Sequence, residues 1–172
     1  MKKINKPSTD IPDFYKHYMD MVPDDANLLQ HLNDIQTETE TLVQSLTEEK
    51  LLFRYAANKW TIKDLILHLA DCERIIIYRA TRITRGDKTN LPGFDEAAFV
   101  SAANANNRSI KDIIEELKAF RMASIVFIKS LSDEELNKTG TANGYPLSAR
   151  LLVNHLYGHH KHHLDIIKEK YL

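Results

Sequence analysis

Thr61-Ile62-Lys63-Asp64-Leu65-Ile66-Leu67-His68-Leu69-Ala70-Asp71-Cys72 opens with a helix-start signal and carries one imidazole inside an apolar run. The Thr61 hydroxyl is placed to accept from the amide three residues on, while the Asp64 carboxylate reaches back, which makes a capping box. From there the pattern stays in helical phase to Gly86, a residue suited to a C-terminal stop. Leu65, Leu69, Cys72 and Ile76 share one face, and His68 lies beside it. A helix with one apolar stripe must bury that stripe against other elements.

The rest of the chain supplies those elements. Leu28, Leu32, Ile35, Leu42 and Leu46 recur at steps of three and four within a helix expected from about Asp25 to Leu46. A short helical piece follows Pro92, around Asp95–Ala103. Ser109-Ile110-Lys111-Asp112 reads as a second capping box, opening a helix to about Leu131 whose face holds Ile110, Ile113, Ile114, Leu117, Phe120, Ser124, Phe127 and Leu131. Ser132-Asp133-Glu134-Glu135 suggests a further short turn, and Gly140–Pro146 a loop. Ser148 is placed to cap a last helix through about Lys170. Nothing reads as a strand. Four long amphipathic helices predict an all-α four-helix bundle over residues 24–172. Residues 1–23, with the aromatic cluster Phe14-Tyr15-Lys16-His17-Tyr18, are expected to be an irregular arm laid over that domain.

Composition narrows the function classes. A chain of 172 residues suits one domain with a sizeable core. A formal charge of −1 gives no electrostatic reason to expect nucleic acid or an anionic membrane as partner. The basic Met1–Pro7 segment lacks the apolar core of a signal peptide. No apolar run approaches the ~20 residues that span a bilayer. Cys72 is the single cysteine, so no intrachain disulfide forms, as expected of a reducing cytoplasm.

Asn154–Leu164 holds five of the eight histidines. At ~100° per residue, His159 and His163 project inside the apolar arc of Leu152, Leu156, Ile166 and Ile167, roughly 40° apart. His155 and His162 fall on one flank of that arc, His160 on the other. An i,i+4 histidine pair lets two imidazoles meet one ion, and His159–His163 is the inward-facing one. A third ligand must come from another helix, and the candidate is His68, midway along the helix from Thr61 beside the face of Leu65, Leu69, Cys72 and Ile76. Three imidazoles leave a coordination position for water or substrate. The bland readings stand beside this: a satisfied core histidine at position 68, and a solvated or adventitiously metal-binding helix end at 155–163.

Several stretches together resemble the DinB-like (damage-inducible) superfamily. They are Asn58–Asp71, Glu73-Arg74, Tyr78–Asp87, Leu91–Glu96, Asn106–Ser109, Gly140–Gly144 and the closing Gly158-His159-His160-Lys161-His162-His163, in the expected order. The resemblance implies a four-helix bundle with a divalent ion, nickel or zinc, on His68, His159 and His163. It implies a metal-dependent enzyme on a small molecule, either a transferase using a low-molecular-weight thiol or a hydrolase, and a homodimer. The position after His159 is often acidic in relatives; here it is His160.

Other residues carry two readings each. Cys72, one turn after His68, is a thiolate facing the site or a small core hydrophobe. Arg79 projects to the His68 side, as an anion binder or a salt-bridged structural arginine. Asp71 and Glu73 are acceptors behind a ligand imidazole or exposed helix carboxylates. Trp60 reads as a packing anchor and Asn143-Gly144 as turn chemistry. The competing function is a non-enzymatic metal-binding or stress-associated scaffold module.

Overall fold

The computed structural model describes residues 2–172. Helices α1 (Asp13–Asp20), α2 (Leu28–Gln44), α3 (Glu48–Leu51), α4 (Ile62–Thr84), α5 (Glu96–Ala103), α6 (Ile110–Ser130) and α7 (Asp133–Asn137) precede a hairpin, β1 (Thr139–Ala142) and β2 (Tyr145–Ser148). Helix α8 (Ala149–Ile166) closes the fold and runs into a π-helical turn, Ile167–Tyr171. The long helices α2, α4, α6 and α8 form the four-helix bundle.

The helix starts obey their caps. Thr61 Oγ1 accepts from the Asp64 amide at 3.0 Å, and Asp64 Oδ2 accepts from the Thr61 amide at 2.9 Å. Ser109 makes the hydroxyl half of its box, accepting from the Asp112 amide at 3.1 Å. Ser148 caps α8 through the Leu151 amide at 3.1 Å. Gly86 sits at φ +84°, where a left-handed residue ends α4.

Two expectations need correction. The arm is not irregular throughout, because Asp13–Asp20 is helical and buries Tyr15 and Met19. The segment expected to be a loop is a two-stranded antiparallel hairpin, pairing Thr139 with Ser148 and Ala142 with Tyr145. Asn143 at φ +51° and Gly144 at φ +78° supply the two left-handed residues that a tight hairpin turn demands. Four-residue strands containing Gly140 and Pro146 are too short to display the period of two that marks a strand.

Two apolar clusters fill the bundle. One gathers Leu28, Leu32, Cys72, Ile76, Ile83, Leu152 and Leu156. The other gathers Ile62, Ile66, Leu69, Ile113, Ile114, Leu117 and Ile167. Along α8, His159 and His163 fall between Leu156 of the first and Ile167 of the second. On α4, His68 lies among residues of the second cluster, one turn before Cys72 of the first.

Helix α1 crosses α8 at Gly158, where a Cβ would lie 2.2 Å from the Tyr18 carbonyl oxygen and 2.8 Å from its carbon. Backbone cannot swing aside as a long side chain does. Gly158→Ala is therefore expected to lower stability by about 1–3 kcal/mol through overpacking, read as a reduced urea midpoint. Unchanged stability would show that α1 is not held at this contact.

Candidate metal centre

The bundle brings the three sequence-selected histidines together. His159 Nε2 lies 3.2 Å from His68 Nε2 and 3.1 Å from His163 Nε2. The rings of His68 and His163 stand nearly perpendicular, with centroids 4.9 Å apart. All three side chains are buried. Trp60 packs against His68 at 4.8 Å and so closes one side, its expected anchoring role.

The contacts are hard to satisfy with imidazoles alone. A neutral ring nitrogen offers either one N–H or one lone pair. His159 Nε2 faces two other nitrogens and cannot serve both well, while His163 Nδ1 is buried without any partner. Burial holds His68 down to about 4, and burial with the neighbouring imidazoles holds His159 and His163 well below the usual histidine range. All three are neutral near pH 7, with lone pairs available to a cation. Cys72 is a further donor: its Sγ is 3.6 Å from either nitrogen of His68, and His68, Cys72 and His159 present donor atoms all within 4.8 Å of one another. Burial pushes the Cys72 thiol far up, so without a bound cation it stays protonated.

Two of the three flanking histidines, His155 and His160, are not solvated. His160 is 1 % exposed. Its Nδ1 accepts from Arg121 Nη2 at 3.0 Å, so the proton sits on Nε2, which donates to Thr39 Oγ1 at 2.8 Å. Arg121 also grips Glu73 through Nε, at 3.0 Å to both carboxylate oxygens, and through Nη2 at 2.8 Å. Its Nη1 donates to the Leu32 carbonyl at 2.8 Å. Glu73 is thus buried and paired, against the expectation of an exposed carboxylate. Asp71 follows that expectation more closely, half-buried and paired with Arg74 at 2.8 Å. His155 is buried under Tyr15 and Tyr18, at ring distances of 4.9 and 4.6 Å. His162 lies nearer the surface beside His17.

Sequence reasoning missed Arg121 altogether. The signal was present, because position 121 is four residues past Leu117 and three before Ser124, inside the apolar stripe. A charge there needs a buried partner.

A narrow pocket opens beside His159. Phe14, Tyr15, Tyr18, Cys72, Ile76, Arg79, Phe94, Glu96, Asn143 and His155 complete its walls. At about 50 Å³ it admits only a compact ligand of a few heavy atoms. Arg79 is here, as its phase implied, but the salt bridge weighed for it does not form; Nη2 donates to the Pro92 carbonyl at 2.8 Å.

Known proteins carry the same architecture. Residues 31–167 match the DinB superfamily. A curated Oceanobacillus iheyensis protein named "Putative metal-dependent hydrolase" is 27% identical over 142 residues, covering 80% of this chain and 81% of that protein. The structure of YfiT from Bacillus subtilis, described as "a probable metal-dependent hydrolase with an unusual four-helix bundle topology", superposes with a TM-score of 0.77 at 16% identity. That superposition covers 96% of this chain and 91% of YfiT.

Two outcomes follow for the metal-free protein. Arg121→Met strands the Glu73 carboxylate in the core and is expected to cost about 3–5 kcal/mol, measured by denaturant unfolding; a loss below about 1 kcal/mol would mean the pair is hydrated. The buried histidines set the acid response. Above about pH 6.5 the folded and unfolded chains both hold neutral imidazoles, and no difference arises. Below it the unfolded chain takes up protons that the fold excludes, down to about 4 for His68 and about 3 for His155. Each such group removes about 1.4 kcal/mol per pH unit across that window. Unfolding midpoints at pH 7.5, 6 and 5 are expected to fall progressively; a flat series would contradict buried neutral imidazoles.

Proposed function

This chain belongs to the DinB superfamily, and from that footing we propose that it is a metal-dependent enzyme acting on a small molecule. His68, His159 and His163 would hold one divalent ion, nickel or zinc. The carrying observation is the tip-to-tip approach of three neutral, buried imidazoles with Nε2 contacts of 3.2 and 3.1 Å. Ligand nitrogens at about 2.0–2.1 Å from a tetrahedral ion sit roughly 3.3 Å from each other, a spacing that both contacts of His159 match. The donors already mutually within 4.8 Å are His68, Cys72 and His159, and His163 would complete the shell by turning its ring toward His68. Cys72 is the alternative third donor; the separation of His159 and His163 by four residues on one helix favours the imidazole.

Such an ion supplies Lewis acidity and an exchangeable coordination position. The chain's own groups do the rest. Burial keeps the ligand imidazoles unprotonated, the Glu73–Arg121 pair fixes α4 against α6, and His160 anchors α8 beside its neighbour His159. Tyr15, Tyr18 and Trp60 exclude bulk water from two sides.

Two chemistries suit this centre. Hydrolysis is the reaction in the names of the similar proteins. Transfer of a low-molecular-weight thiol is the other, and there the thiol enters as a substrate, because the chain's single cysteine is buried in the core.

Elemental analysis of tag-free protein is expected to find one divalent ion per chain. His68→Ala, His159→Ala and His163→Ala should each weaken binding beyond the roughly 10–100-fold that loss of an outer partner costs, while His162→Ala leaves it unchanged. Equal losses at all four positions would sink the assignment. An ester and amide panel beside a thiol–electrophile panel then separates hydrolysis from transfer. Tight metal with no metal-dependent turnover would leave a non-enzymatic metal-binding module.

A further inference from the structure

Arg79 is buried, 6 % exposed, yet carries no ion pair. Among the described residues no carboxylate oxygen lies within 4.0 Å of its guanidinium, and its one hydrogen bond to protein goes to the Pro92 carbonyl. Phe94 adds a cation–π contact at 6.0 Å. One carbonyl and one distant ring leave most of a five-donor fork unused. Buried charges are ordinarily paired; the nitrogens that Arg79 leaves unbonded are not sealed, since none is among the buried atoms lacking a partner, and they reach solvent beside the pocket that Arg79 lines. Every other buried cation of the bundle obeys that rule: Lys63 pairs with Glu48 at 2.5 Å and Arg121 with Glu73 at 2.8 Å.

The unused edge belongs to the pocket. Arg79 shares that cavity with His159, the central imidazole of the proposed centre, and with His155, Tyr15, Tyr18 and Asn143. Its positive charge reaches the neighbouring groups, helping to hold His155 unprotonated. Glu96 lines the same cavity but stands beyond ion-pair distance, so the two charges face a common space without closing it. A planar fork with free N–H groups is built to take a carboxylate in two parallel bonds.

We infer that Arg79 is the binding site for a substrate carboxylate, so that the small molecule spans the pocket from the Arg79 guanidinium to the His68–His159–His163 cluster. The substrate class is a small carboxylic acid whose reacting group is presented to the metal while its carboxylate replaces the missing partner of Arg79. This deepens the metal-enzyme reading and rests on it for the second end of the ligand. Arg79 positions and selects; it holds no bond that is made or broken.

The probes are 3-mercaptopropionate and its neutral amide, titrated against Co²⁺-loaded protein, with binding read from the cobalt absorption bands. The carboxylate is expected to bind about ten-fold or more tightly than the amide. In Arg79→Gln the two should bind alike, with the amide's affinity and the unliganded cobalt spectrum unchanged; Arg79→Lys should keep part of the preference. Equal affinities in the natural protein overturn the inference without any variant, which covers the case where Arg79→Gln fails to fold. A preference surviving in Arg79→Gln overturns it too. Failure of the metal reading looks different, as no cobalt bands at all. The Arg79 inference is then decided on metal-free protein, where propionate but not propionamide should raise the melting temperature, and only while Arg79 is present.

Discussion

The buried bond between Glu73 and Arg121 is the constraint on which the bundle's geometry depends. Both side chains are nearly sealed from water, and neither charge survives there without the other. Apolar stripes alone tolerate sliding and rotation of helices against one another. Hydrogen bonds of fixed direction do not. Glu73 brings in α4 and Arg121 α6; the Leu32 carbonyl and Thr39 bring in α2, and His160 brings in α8. One connected network therefore fixes the relative register of all four long helices at a single level.

That level is chosen by the chemistry next to it. His160 adjoins His159 in sequence, so holding the His160 ring between Arg121 and Thr39 sets the rotation of α8. With α8 fixed, His159 Nε2 meets both His68 and His163. A layer of imidazoles between two apolar clusters would be a weakness in a core built only for stability, since burial strips those rings of water. It is consistent in a core that presents neutral nitrogen donors, because the burial which makes the layer costly also keeps its lone pairs free.

Much of this was legible in the residues. The Thr61-Ile62-Lys63-Asp64 box, the stripes of α2, α4, α6 and α8, and the inward phase of His159 and His163 all follow from spacing. What spacing lacks is the width of the covered arc. A wheel assigned His155 and His160 to the flanks of α8, correctly in angle, but α1 lies over one flank and α2 over the other. Tyr18 covers His155 and Thr39 receives His160, so both are buried. Glu73 looked like a surface carboxylate for a related reason: its environment is set by Arg121, a residue 48 positions away. Pairings of that range leave no periodic trace in either segment. The hairpin escaped because four-residue strands with a glycine and a proline carry almost no pattern of their own.

The centre and its pocket are built from different kinds of structure. Every candidate metal donor lies on α4 or α8, long helices locked by the buried network. The outer wall comes instead from connecting pieces: α1, the Leu91–Phe94 segment, the start of α5 and the hairpin turn. These pieces brace one another. Leu91 accepts from the Asn143 amide at 2.9 Å and donates to the Thr141 carbonyl at 2.9 Å. Gly93 packs so closely on Asn143 that a Cβ would meet its side-chain oxygen at 2.1 Å. Pro92, held between them, presents its carbonyl to Arg79. The guanidinium is carried by α4 but its aim also depends on the loop–hairpin brace through Pro92, while the imidazoles depend on the helices alone. Changes in the connecting segments can re-aim what grips a ligand without disturbing what would hold the ion, which separates selectivity from the metal centre within one small bundle.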